Sequence, residues 1–413
     1  MARPRLLFLC HTLPYPPDLG VHIRTYHTLR LLAREFRITL LCFYRREDRP
    51  TAAEVETGLA ELRKLVDEAH AFPIEQSQSR ARYVLDHVRS LVGGRAYTEF
   101  VYESQAFRNQ LRTFLRSGPF DLIHIDSLDL APYLSVFQTD SVVCVHHNVE
   151  SELLRRRAGN EKSALARRYI AYQADRVENL ERAWCERFAL NIAVSEQDRR
   201  SFLELAPGAR FLVVPNGVDT MQFAMSEQPQ QGVVFVGGTQ WFPNRDALVH
   251  FCDDILPHLR TSDETTPVRW VGRAPEPMIR RYREQYGVDL TGYVPDVRPY
   301  IDSAACYIVP LRVGGGTRLK ILDAWASGKA VVSTSIGCEG LAARDGVNIL
   351  IRDDPASFAQ AVRDVLSNSD LRNLLGRMAR ETAVSMYDWE VIGKPMVEHY
   401  HEIINARLKK HSA

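Results

Sequence analysis

The 413-residue chain predicts an α/β fold built from two doubly wound domains. Three observations predict it. Short apolar, β-rich runs alternate with longer segments of helical period, the pattern of parallel strands covered by helices on both faces. The alternation runs through the chain twice, repeating an architecture without repeating a sequence. A composition of 45% hydrophobic and 25% charged residues supplies two cores, in domains of about 200 residues each.

In chain order, Arg5–Cys10, Ile38–Tyr44, Leu122–Ile125, Val142–His146 and Leu190–Val194 read as strands, from their β-branched and aliphatic runs. Between them Ile23–Glu35, Ala53–Ala69, Phe107–Ser117 and Ala164–Phe188 carry helical periodicity. A second series of strands starts at Phe211–Pro215 and continues through Val233–Gly237, Val268–Gly272, Val288–Leu290, Cys306–Pro310, Ala330–Thr334 and Ile349–Ile351. Its helices are expected at Arg245–Leu259, Pro277–Tyr286, Val297–Ile301, Arg318–Ser327 and Ser357–Leu366. Pro, Gly and Gln collect from Ala206 to Pro229, which predicts the boundary there. The expected division is a Rossmann-like domain at 1–208, a second at 209–387, and a terminal segment at 388–413. In that segment Asp388–Lys409 is helical and polar on one side, and it is expected to close back over the first domain.

Charge and composition exclude several classes. A net charge of +1 gives no global field for nucleic acid, and no zinc-finger or aromatic RNA-binding pattern occurs, so no nucleic-acid partner is expected. Cys10, Cys42, Cys144, Cys185, Cys252, Cys306 and Cys338 are scattered without a close pair; they read as reduced core thiols of a cytoplasmic protein. The apolar run Leu6–Cys10 is too short for a signal-peptide core, and no stretch approaches the ~20 apolar residues that span a bilayer.

The segment with the most chemistry is P-L-R-V-G-G-G-T-R-L-K-I-L-D-A-W-A-S-G-K-A-V-V-S, Pro310–Ser333. A strand end, three glycines and a basic helix start present unpaired backbone N–H groups and a helix dipole to an anion. Arg318 and Lys320 add positive charge beside the same opening. A phosphate-bearing ligand is the leading reading, against a plain Gly-rich turn into a surface helix. The nucleotide triphosphatase pattern is absent. Ligands of open parallel sheets bind beyond the carboxyl ends of the strands. That rule selects His11, Thr12 and Arg24 after the first strand and His146-His147-Asn148-Val149-Glu150 after the fourth. In the second domain it selects Gly237-Gly238-Thr239, Gly272-Arg273, Gly292-Tyr293-Val294, Gly314–Lys320 and Ser335–Glu339. If the domains face one another, both groups line one cleft, which fits a two-substrate reaction.

The segments V-V-P-N-G-V-D (Val213–Asp219), V-V-F-V-G-G (Val233–Gly238), G-Y-V-P-D-V (Gly292–Val297) and Pro310–Ser333 stand in the order and approximate spacing of GT-B glycosyltransferases. More narrowly, the chain resembles glycosyltransferase family four, the retaining sugar transferases of bacterial polysaccharide and glycolipid synthesis. The resemblance covers almost the whole chain and is most specific in its second half. It implies two Rossmann-like domains facing across a cleft, a nucleotide-sugar donor held by the second, a saccharide or lipid-linked acceptor held by the first, and metal-independent transfer.

Carried over residue by residue, the resemblance assigns Asp323 to the ribose hydroxyls and Gly292 and Val294 to the nucleobase. The family's first carboxylate near the donor is replaced here by Gly315, so hexose selection is not transferred. The usual diphosphate-gripping Arg after the Val-Gly turn is missing, and Arg245 approximates the usual Lys. Arg318 and Lys320, with backbone near Gly238, Gly315, Gly316 and Thr317, are expected to share that grip. His147, in H-N-V-E, is preferred to His146 as the residue at the reaction centre. Glu150 orients an acceptor hydroxyl or sits at the start of the following helix.

With no Asp-x-Asp sequence, no metal or other cofactor is expected. Retention without a protein nucleophile fits a departing phosphate oxygen that helps deprotonate the acceptor on the same face. The alternatives are a nucleotide-sugar epimerase of similar architecture and a non-catalytic nucleotide-sugar-binding protein. The basic runs Arg155-Arg156-Arg157 and Arg167-Arg168 read either as a peripheral contact with the inner membrane surface or as solvated helix faces.

Overall fold

The computed structural model describes residues 3–49, 51–137, 141–226, 230–260, 266–313 and 319–412. They form two compact units, Met1–Pro215 with Gly393–Ala413, and Asn216–Ile392.

The first unit is built on a seven-stranded sheet: β1 (Arg5–Cys10), β2 (Arg37–Tyr44), β3 (Glu68–Pro73), β4 (Leu122–Ile125), β5 (Val142–Val145), β6 (Leu190–Ala193) and β7 (Phe211–Val213). The order is β3-β2-β1-β4-β5-β6-β7, and every pairing is parallel. β1 lies at the centre, with Leu7 opposite Thr39 on one side and Ile123 on the other. Its run Leu6–Cys10 has no exposed side chain. A strand covered on both faces must be apolar at consecutive positions, which is why it reads as a continuous hydrophobic run.

The second unit repeats the plan with β8 (Val233–Val236), β9 (Val268–Val271), β10 (Val288–Leu290), β11 (Cys306–Val309), β12 (Val331–Ser333) and β13 (Leu350–Ile351). The order is β10-β9-β8-β11-β12-β13, again parallel throughout. Trp270 of β9 stacks on Phe235 of β8 at 3.8 Å between ring centroids and anchors the core. In each sheet the strand order reverses beside the first strand of its series, between β1 and β4 and between β8 and β11. These two switch points are where an open α/β sheet leaves a ligand crevice.

Three expectations are corrected. Phe211–Pro215 does not open the second series: β7 pairs with β6, Ile192 opposite Leu212, so the boundary moves from 208/209 to 215/216. The helix expected to run to Ala69 is Ala52–Leu62, because Glu68–Pro73 pairs with β2 as an edge strand. That strand has no β-branched residue and ends on Pro73, which leaves it without a strand signature in the sequence. Helices at Arg80–Gly93, Glu196–Leu205 and Ser369–Met386 were not expected, whereas the basic helix expected after Glu150 is present as Glu150–Asn160. Arg318 and its glycines lie outside the described residues, and the helix there is described as Leu319–Ala326.

All seven cysteines are buried and none forms a disulfide. The terminal helix Trp389–Ser412 packs on the first unit from Gly393 onward. The Tyr400 hydroxyl meets Nδ1 of His124 at 2.7 Å, and Arg407 donates to the carbonyl of Phe120 at 2.9 Å. A Cβ at Gly393 would collide with the Leu31 side chain, so the helix approaches that closely only where a side chain is missing.

Candidate active site

In the first unit the switch point is organised by Asp126, the residue that follows β4. Its carboxylate is buried and accepts hydrogen bonds from the Thr25 hydroxyl and from the Cys10 thiol, the latter at 3.5 Å. Burial alone would raise its pKa, but facing His147 and His124 holds the carboxyl well below the usual carboxylate range, so Asp126 is an anion. Burial, with the Asp126 charge added, pushes the Cys10 thiol up, so Cys10 keeps its proton. Thr25 comes from the helix Gly20–Glu35, whose first half buries His22, Arg24, Thr25, His27 and Thr28. Burying so many polar groups is costly unless they are paired; His22 meets the Thr12 hydroxyl at 2.9 Å and Asp18 at 3.0 Å, and Thr25 donates to Asp126. Arg24 donates to the carbonyls of Val214 at 2.8 Å and Pro215 at 3.0 Å, and burial lowers its pKa to about 10.

Two imidazoles share the backbone carbonyl of Asp126: His11 Nδ1 at 3.1 Å and His147 Nε2 at 2.9 Å. A carbonyl oxygen only accepts, so Nε2 of His147 carries the hydrogen and Nδ1 is left as the ring's acceptor position. Burial lowers His11 to about 4, with the nearby His147 ring adding to the shift. His146 points the other way. Its Nε2 donates to Oδ1 of Asn191 at 2.9 Å, the ring packs on Phe202, and burial lowers it to about 4. Strand alternation separates the pair, one side chain into the core and the next to the sheet end. Glu150 is exposed in the first turn of the helix Glu150–Asn160, where Asn148 donates to it at 3.2 Å. Cys10, His11 and Asp126 each place a ligand atom within 4.8 Å of the others, the one such group among the described residues.

In the second unit glycines set the geometry. Gly272 ends β9 at φ 142°, and a Cβ there would lie 2.6 Å from the amide nitrogen of Gly238. Gly292, at φ 74°, bridges to Gly272. Three strand ends therefore meet backbone to backbone, and only glycine permits the approach. Beside them Asn244, buried on the helix Phe242–His250, donates to the Gly238 carbonyl at 3.0 Å and accepts from Lys320 Nζ at 2.7 Å. The Lys320 ammonium also lies 4.1 Å from the centre of the Phe235 ring. One cation is thus fixed at the β8/β11 switch point.

The remaining expected residues fall as follows. Gly315, Gly316, Thr317 and Arg318 lie outside the described residues. Arg245 is exposed, its guanidinium 6.0 Å from the centre of the Phe242 ring, and Asn244 one residue earlier faces Lys320 instead. Val294 packs against the second unit's core, while Tyr293 is exposed beneath the Arg273 guanidinium. Asp323 has no ion-pair partner among the described residues, and burial pushes its carboxyl up to about 7. Asp126 and Asn244 were not singled out from the sequence. The available signal was a carboxylate placed directly after the apolar run Leu122–Ile125; for Asn244 there was none, since a helix Asn becomes a bridge only through its neighbours.

The profile described as Glycosyltransferase Family 4 matches residues 19–222, and that described as Glycosyl transferases group 1 matches residues 230–368. The phosphatidyl-myo-inositol mannosyltransferase of Mycobacterium tuberculosis is 26% identical over 324 residues, covering 74% of this chain and 79% of that protein. Among solved structures, Anabaena HepE in complex with UDP superposes with a TM-score of 0.65 at 13% identity, over 96% of this chain and 100% of that one. Sucrose-phosphate synthase from Thermosynechococcus elongatus does so with 0.68 at 15%, over 97% and 100%. With two parallel Rossmann-like sheets, both family profiles and these relatives in agreement, the chain is a GT-B glycosyltransferase that resembles glycosyltransferase family four.

Proposed function

We propose that the enzyme moves a sugar from a nucleotide-sugar donor to a saccharide or lipid-linked acceptor with retention of anomeric configuration, in the synthesis of a cell-surface polysaccharide or glycolipid. The observation that carries this reading is the Lys320–Asn244–Gly238 chain at the β8/β11 switch point. It sets an ammonium beside side-chain-free backbone, between the starts of two helices, and so favours a diphosphate. The UDP bound in the HepE complex supports a donor of this class, and the mannosyltransferase relative supports a lipid-linked acceptor.

In this reading Lys320, with Arg318, neutralises the charge that grows on the diphosphate as the glycosidic bond breaks. Asp323 accepts the ribose hydroxyls; with no ion-pair partner for it among the described residues, those hydroxyls supply hydrogen bonds to its carboxyl. Gly292 and Val294 face the nucleobase, and Arg245 remains available to the phosphates only through a change of rotamer. His147, fixed by its bond to the Asp126 carbonyl, presents Nδ1 to a hydroxyl of the donor sugar or acceptor. The departing phosphate oxygen takes the acceptor proton on the same face, so neither a protein nucleophile nor a metal is required.

The test is a panel of nucleotide sugars read by thermal stabilisation, followed by transfer with the stabilising donor and assignment of the product's anomeric configuration by NMR. One donor class should raise the midpoint, the product should retain configuration, and activity should persist after exhaustive chelation. An inverted product, or activity lost on chelation and restored by magnesium or manganese, overturns the mechanism.

A further inference from the structure

The helix Arg80–Gly93 is amphipathic in the reverse sense for a helix on a folded domain. Its polar residues face inward. Asp86 and Ser90 are fully buried; Asp86 accepts from Gln76 at 3.1 Å, Arg82 at 3.0 Å and Arg89 at 2.9 Å. Ser90 donates to the Arg95 carbonyl at 2.8 Å and accepts from Gln173 at 2.8 Å. With the polar stripe held down by this network, the apolar stripe points to solvent: Tyr83, Val84, Val88, Leu91 and Val92 are all exposed, Val92 by 84%. The helix Ala164–Cys185 runs alongside in the same direction. Tyr169 meets His87, Gln173 meets Ser90 and Arg176 meets the Gly94 carbonyl, at sequence separations of 82, 83 and 82. That register sets Leu165, 84% exposed, level with Tyr83 and extends the apolar surface onto the second helix.

The rim of this surface is cationic. Arg80, Lys162 and Arg168 are exposed and make no ion pair among the described residues. Most neighbouring acids are engaged, Asp86 and Glu103 by Arg82 and Arg89, Glu99 by Arg95, and Glu161 by the Ser163 amide, while Glu47 and Glu75 stay exposed near the start of the helix. Of the basic runs expected from sequence to meet lipid, Arg155 is tied to Asp175 and Glu178, Arg156 to Glu152, and Arg167 to the Glu161 carbonyl.

We propose that the apolar face of Arg80–Gly93, with Leu165 and the rim of Arg80, Lys162 and Arg168, is the surface by which the enzyme docks on an anionic lipid bilayer. A contiguous exposed apolar patch marks a contact surface. An amphipathic helix with basic flanks lies in the headgroup plane with its apolar side in the acyl boundary, drawn there by negative surface charge. A second copy of the chain is disfavoured as occupant, because self-pairing would bring like-charged rims together. This deepens the lipid-linked part of the proposed function, yet its test does not depend on sugar transfer.

The full-length chain is co-sedimented with vesicles of phosphatidylcholine and phosphatidylglycerol in equal parts, and with phosphatidylcholine alone. The expected result is binding to the anionic vesicles that weakens with added salt. Val88→Asp with Val92→Asp lowers partitioning about tenfold or more. Arg80→Glu with Arg168→Glu lowers binding to anionic vesicles by a similar factor and leaves the weak binding to phosphatidylcholine unchanged. All four positions face solvent, so both variants should keep the wild-type melting midpoint and its shift with nucleotide sugar; that shift separates failure of this proposal from failure of the donor assignment. The proposal is overturned if the unmodified chain ignores anionic vesicles, if both variants bind as it does, or if the Asp variant instead turns a dimer into a monomer.

Discussion

Lys320 and His147 are single side chains whose roles follow from what holds them. Lys320 is anchored on Asn244, so its charge is prepositioned and little rotamer freedom is lost when a phosphate arrives. Lys320→Ala should weaken donor binding by about 1.5–3 kcal/mol, the range for a hydrogen bond to a charged group. Calorimetric titration with donor and with free nucleoside diphosphate measures it, and equal affinities in both proteins would remove Lys320 from the site. His147→Ala should lower kcat with little change in nucleotide affinity, because its ring sits in the first unit at the Asp126 carbonyl. His146→Ala should act on stability, at about 1–3 kcal/mol, since Oδ1 of Asn191 loses its buried donor. A loss of turnover on His146→Ala with an unchanged melting midpoint would reverse the assignment.

The helix Glu150–Asn160 carries an element-scale switch of stability with pH. Glu181, on Ala164–Cys185 and only 1% exposed, accepts from both the amide and the hydroxyl of Ser151 near that helix start. Burial outweighs those bonds and raises its carboxyl to about 7. The folded protein therefore holds this proton over a range where the unfolded chain has released it. The contribution is full below the ordinary glutamate pKa of 4.5 and is lost as pH rises through about 7. Glu181→Gln removes that dependence, by about 3 kcal/mol at most. Denaturant titrations at pH 5 and pH 8 should show a smaller loss of stability between the two for the variant than for the parent. Parallel curves would mean that Glu181 is solvated in the native state.

At the scale of the molecule, the terminal helix joins the unit built by residues 1–215. Tyr400 reaches His124 and Arg407 reaches Phe120 and Asp121, so the closing helix covers the sheet around β4. Ending the chain at Ile392 should expose that apolar surface and leave His124 without its partner. Hydrogen exchange should then quicken in β1–β7 and stay slow in β8–β13. Equal loss of protection in both sheets would show that the helix stabilises the whole molecule rather than the first unit.

The sequence by itself determined the parts written in local terms. β1, β8 and β11 were legible because a buried parallel strand is a continuous apolar run, and Pro310–Ser333 stood out because an anion loop needs glycines before a basic helix. The order of strand and helix, twice over, determined the fold class. Only the tertiary structure decided the rest. β3 is a strand because β2 offers it an unpaired edge, and β7 joins the first sheet because β6 does. His146 and His147 are neighbours in sequence, yet one is claimed by Asn191 in the core and the other by the Asp126 carbonyl. Asp126 draws partners from Cys10, Thr25 and His147, far apart in sequence, and Asn244, bonded to the Gly238 carbonyl, reaches Lys320 across 76 positions. The helix Arg80–Gly93 gives the sharpest case: its apolar stripe is the signature of a core face, and nothing local says which side is buried. That is set by where Gln76 and Gln173 stand to receive Asp86 and Ser90, because a buried polar group must find its partner before an apolar one can claim the interior.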